Sequence, residues 1–145
     1  MYKAIISLAA GMLIFGTGFA ARADDIPRDP ALFTPDGHYT EKNLFLNILP
    51  REREGRQFPL RVSEDVVLSD ISAGPGSVIT NVFRLSKKAS GDHTPYGVLK
   101  NICQNQALRS SMVDRLDSYR FIYYEEERYL FSVDVTSEHC KSNGW

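Results

Sequence analysis

The sequence predicts an α+β fold: an antiparallel four-stranded sheet in β-β-α-β-β order, packed on one main helix, with a short N-terminal helix. Three observations carry this. Two stretches rich in β-branched and aromatic residues each break at a turn, and a Thr-Pro pair opens a long amphipathic run between them. The only two cysteines fall one in that run and one after the last β stretch.

The first residues, "MYKAIISLAAGMLIFGTGFAARADD", place one cation at Lys3 before an apolar run from Ala4 to about Ala20, with Ala21 and Ala23 flanking Arg22. That is the layout of a secretory signal peptide over 1–23, with cleavage after Ala23. Gly11, Gly16 and Gly18 interrupt the run, which is barely long enough to cross a bilayer, and no cysteine follows the cleavage point. The expectation is a periplasmic or secreted chain with no stable membrane anchor after cleavage. Loss of Lys3 and Arg22 leaves 15 basic against 18 acidic residues. Nucleic acid is not an expected partner, because binding it needs a basic surface to displace counterions. The short basic patches "REREGR" at 51–56 and "RLSKK" at 84–88 read as solvated faces or loops.

Residues 24–37 carry Pro27, Pro30 and Pro35 among charges and read as an extended leader, ahead of a single domain over 38–145. Thr40 can cap a short helix whose Leu44, Phe45, Ile48 and Leu49 form an apolar stripe ended by Pro50. The stripe suits docking on the core, or binding a partner. "FPLRVSEDVVLSDISAGPGSVITNVFRLS" then forms a hairpin about Gly74-Pro75-Gly76. In it Val67, Ser69 and Ile71 alternate with Val66, Leu68 and Asp70, and Ile79, Asn81, Phe83 and Leu85 alternate with Val78, Thr80, Val82 and Arg84.

After the polar link "KKASGDH", Thr94 is a good N-cap and Pro95 suits the first helical position. Apolar residues at three- and four-residue steps predict one helix from Tyr96 to about Leu116, with Cys103 on its buried stripe. "YRFIYY" and "YLFSVDV", joined by "EEER", form the last hairpin. Tyr129, Phe131, Val133 and Val135 share one face of its second strand, and Leu130, Ser132, Asp134 and Thr136 the other.

An even cysteine count in an exported chain favours a Cys103–Cys140 disulfide. A reactive thiol and a metal site compete with it. His139 adjoins Cys140 at a strand end, where neighbouring side chains point to opposite faces, and His38, His93 and His139 show no ligand spacing with either cysteine. No catalytic, cofactor or metal residues are expected. Glu125 to Glu127, at a hairpin tip, diverge into solvent. Tyr119, Tyr123, Tyr124 and Tyr129 are the candidate interface, since tyrosine is frequent where proteins meet, although half-buried packing also accounts for them.

From Phe58 to Cys140 the chain resembles a group of small, largely uncharacterised exported proteins of Gram-negative bacteria. The likeness rests on Phe58-Pro59 at a strand start, a polar-hydrophobic hairpin, Cys103 followed six residues later by Arg109, the strand "FIYY", and "FSVDV" before Cys140. It implies a β-β-α-β-β domain with a helix-to-strand disulfide and brings no catalytic assignment. "DRLDSYR" and "EEER" stand where that pattern has glycines.

The function expected is a non-catalytic binding or accessory module, one fitting an envelope assembly or secretion system, whose partner is another envelope or secreted protein. The alternative is a secreted enzyme inhibitor or immunity-type protein. A third reading, a small hydrolase built on Asp92-His93 and a distant serine, has only a polar-loop dipeptide behind it.

Overall fold

Five strands form a single sheet in the order β1-β2-β3-β4-β5. They are β1 (Leu60–Ser63), β2 (Val66–Ala73), β3 (Val78–Leu85), β4 (Ser118–Glu125) and β5 (Arg128–Val135). The computed structural model describes residues 29–145; the expected signal peptide and its cleavage after Ala23 lie outside them.

The sheet departs from the expected four antiparallel strands in two ways. Residues 60–63 add β1 as an edge strand, antiparallel to β2. More consequentially, β3 and β4 run parallel, with Val78 to Leu85 facing Ser118 to Glu125 residue for residue. Hairpin reasoning treats each pair alone and cannot choose how the pairs join. Residues 86–117 are long enough to return the chain to the other end of the sheet, as a parallel connection requires.

That return is broken rather than one helix. Lys87–Ser90 forms α2, Pro95–Gln104 forms α3, Gln106–Ser111 forms α4, and a 3-10 turn covers Val113–Arg115. Thr94 caps α3 by accepting from the Gly97 N–H, with Pro95 in the first turn, as expected. The single long helix fails at Asn105, whose backbone is extended (φ −83°, ψ 103°) and whose side chain accepts from the Leu108 N–H to start α4. Asparagine competes for backbone hydrogen bonds and so favours a cap over a helix interior.

Pro50 does not end the first helix. Here α1 runs from Glu41–Asn43 through a π-helical turn, Leu44–Ile48, into Leu49–Arg53. Within it the Leu49 N–H bonds five residues back, to the Leu44 carbonyl. Pro50 then stands in the first turn of the next segment, where its missing N–H costs nothing. Leu44 and Ile48 are fully buried, while Phe45 and Leu46 are about half exposed.

The helices cover one face of the sheet. Ile79, Phe83, Leu85, Phe121, Tyr123 and Val135 form the core with Ile102, Leu108, Val113 and Leu116. A bulge between Leu68 and Asp70 changes the parity of β2, so Ile71 joins Val66 and Leu68 in the core instead of facing away from them. Cys103 and Cys140 are bonded, with no free cysteine. The bond joins helix to helix: Thr136 accepts from the His139 N–H and starts a further short helix, α5 (Ser137–Ser142), which carries Cys140 beyond the strand.

Both ends of the described chain are tied to the domain. In the leader, residues 29–37 turn back on the domain: the Thr40 N–H bonds the Leu32 carbonyl, and Phe33 packs on Tyr39 at 5.6 Å. His38 Nδ1 lies 2.7 Å from Asp117 Oδ1 and fastens this turn to the approach of β4. At the tail, the Trp145 N–H bonds the Cys140 carbonyl and its ring meets Tyr96 edge-on at 5.6 Å.

Candidate interface on the open sheet face

Strand alternation separates the four candidate tyrosines. Tyr119 and Tyr123 share the inward face of β4 with Phe121 and are 4% and 0% exposed. Burial pushes both phenols upward. Tyr123 is sandwiched between Phe83 at 5.1 Å and Phe131 at 4.9 Å, with His93 at 5.7 Å. These two belong to the core rather than to an exposed interface.

Tyr124 and Tyr129 lie on the other face. Tyr129 was expected beside Phe131 and Val133, but the register slips so that Tyr123 faces Phe131 while Tyr124 faces Tyr129. The extra residue, Leu130, reverses the parity, and Tyr129 emerges with Tyr124. Their rings meet edge-to-face at 5.9 Å, and Tyr129 is 55% exposed.

Register sets a row across this face: Arg61 faces Val67, Val67 faces Arg84, Arg84 faces Tyr124, and Tyr124 faces Tyr129. The Arg84 guanidinium sits 5.5 Å from the centre of the Tyr124 ring. It also donates to Glu127 Oε1 at 2.8 Å and to the Glu126 carbonyl at 2.9 Å. The next outward residues, Val82 and Ile122, are half-buried neighbours in register. Beyond them Arg120 bonds Asp134 at 2.7 Å and holds its carboxyl below the ordinary range. The face therefore offers an arginine stacked on a tyrosine, a second tyrosine and a small aliphatic centre.

The three glutamates separate as well. Glu125 ends β4, bonds Ser90 and Arg128, and is drawn below the usual carboxylate range first by Ser90. Glu126 has a left-handed backbone, φ 52°. Glu127 is the exposed partner of Arg84.

Asp92 and His93 make no dyad. His93 turns inward, 7% exposed, with Nδ1 2.8 Å from the Ala89 carbonyl. Among the described residues no group of three or more His, Cys, Asp or Glu is placed to hold a metal ion, and no helix is long and apolar enough to cross a membrane.

One residue escaped sequence reasoning. Glu52, read as part of a solvated basic patch, is 6% exposed. Its signal was present in the four-residue spacing Leu44, Ile48, Glu52, which sets it on the buried stripe of α1.

The sequence matches no family model and no curated protein. Among solved structures, it is similar to a Pseudomonas aeruginosa protein proposed to be secreted, at TM-score 0.54 and 12% identity, over 69% of this chain and 92% of that one. At that identity the likeness shows the α+β fold alone.

Proposed function

We propose that this protein is a non-catalytic exported binding module that engages another envelope or secreted protein through the open face of its sheet. The observation that carries the reading is the Arg84–Tyr124–Tyr129 row. Tyrosine and arginine are enriched where interfaces concentrate their binding energy: tyrosine presents a large flat surface at small entropic cost, and arginine a planar fork of donors. Here Tyr124 already lies between the Arg84 guanidinium and the Tyr129 ring, so less of its ordering remains for binding to offset. The expected signal peptide, the disulfide and the fold shared with a protein proposed to be secreted support an extracytoplasmic setting.

Affinity capture from periplasmic extract tests this, comparing the wild type with Tyr124→Ala/Tyr129→Ala and with a control, Tyr96→Ala, that alters an exposed ring elsewhere. Loss of a captured protein in the double variant alone is expected. Equal capture by all three places binding off this face. A catalytic turnover surviving the double variant would refute the non-catalytic reading.

A further inference from the structure

The last turn of α1 carries a carboxylic acid into the interior. Glu52 continues the stripe of Leu44 and Ile48, and its side chain is 7% exposed. Below it lies Tyr119 of β4, whose hydroxyl is beside the Asn81 side chain of β3. Arg56, in the following loop, donates to the Glu52 main-chain carbonyl at 2.5 Å, yet keeps its Nη1 3.8 Å from the carboxylate. On β2, Asp70 is half exposed and engaged by Arg53, so it faces away from this interior. Arg56 and Tyr119 are thus the titratable groups facing Glu52. Burying a carboxylate against a phenol, with one cation beyond hydrogen-bonding distance, opposes the charged form.

The two ends of α1 are held unequally. Its first half is anchored by Tyr39, Leu44 and Ile48, all fully buried. Its last turn has half-buried Leu49, and Arg53, which bonds Asp70 at 2.6 Å and the Ile71 carbonyl at 2.8 Å and stacks 4.6 Å from the centre of the Phe58 ring. Half-exposed ion pairs of this kind hold weakly. The π turn at Leu44–Ile48 lies at the junction of the two halves.

We propose that residues 49–58 form a pH-gated flap, docked over Tyr119 while Glu52 is uncharged and released from the sheet when Glu52 ionises, with the rest of the fold intact. Release uncovers Tyr119 and Asn81. Desolvation raises the Glu52 carboxyl from 4.5 to about 7, which sets the window in which the flap responds.

Hydrogen exchange of the wild-type protein at pH 5.5 and pH 8, corrected for intrinsic exchange, tests the flap. Protection of amides in 49–58 should fall about 20-fold between the two, on the order given by linkage for that window, while β3 and β4 stay protected. Glu52→Gln should abolish the difference. The carboxyl carbon resonance of Glu52 in the wild type gives the same titration without a variant. Unchanged protection, equal loss across every strand, a response surviving in Glu52→Gln, or a Glu52 titration near 4.5 would each overturn the proposal.

Discussion

Replacing Cys103 and Cys140 together by alanine tests what holds the C-terminal half in place. The bond closes a loop with sequence separation 37, for which chain entropy gives ~4 kcal/mol at 25 °C. Both residues are buried, at 1% and 0% exposure, so the lost sulfurs add a small void term on top. Against a total of about 5–15 kcal/mol for a domain, this is a large fraction. The loss has a structural address: α5 has six residues, too few to hold helical form without tertiary anchoring, and Cys140 is its buried residue. Urea unfolding followed by circular dichroism and by the single tryptophan, Trp145, should show a lower midpoint in the double variant. The slope should be steeper, because the uncrosslinked unfolded chain exposes more surface. Trp145 reports α5 directly through its contact with Tyr96. A loss below about 1 kcal/mol, or native wild-type protein that reacts with a thiol reagent, would refute the reasoning.

Three further outcomes follow from single residues. With its carboxyl raised from 4.5 to about 7, folded Glu52 binds a proton that the unfolded chain has released, so wild-type stability falls as pH rises through that window. Glu52→Gln should match the wild type near pH 5 and exceed it near pH 8 by up to ~3 kcal/mol, less to the extent that the flap opens, as read from urea titrations at each pH. Asn105→Ala removes the cap of α4 and should cost ~1 kcal/mol by the same measurement. Glu126→Gly relieves a left-handed backbone at the β4–β5 turn; after the added chain entropy of glycine, a gain of a few tenths of a kcal/mol is expected in thermal melts.

What was legible in the sequence was local. The Thr94 cap, the β2–β3 and β4–β5 hairpins, and the inward face of Ile79, Asn81, Phe83 and Leu85 each depend on neighbours a few residues apart. The parallel join of β3 to β4 was not, because no short-range pattern encodes which strand edges meet. Bulges explain the misplaced faces: one extra residue at Leu68/Asp70 and one at Leu130 invert a two-residue alternation without disturbing composition. At the candidate site the second bulge moves only Tyr129; plain alternation along β4 already sets Tyr119 and Tyr123 opposite Tyr124. Glu52 was hidden by its company, three arginines within "REREGR" that made the segment look solvated.

The parallel seam also shapes how the chain finds its structure. Each hairpin closes across a short turn, but Val78 must meet Ser118 forty positions along the chain, and all eight pairs of the seam share that separation. Loop-closure entropy is spent there before any of those contacts rewards it. The disulfide, between residues 103 and 140, encloses β4 and β5 and leaves β3 outside, so oxidation can lock the second hairpin while the first is still unattached. Docking of the two halves is therefore the step most exposed to competing strand pairing, since until it happens the inner edges of β3 and β4 are both open to another chain.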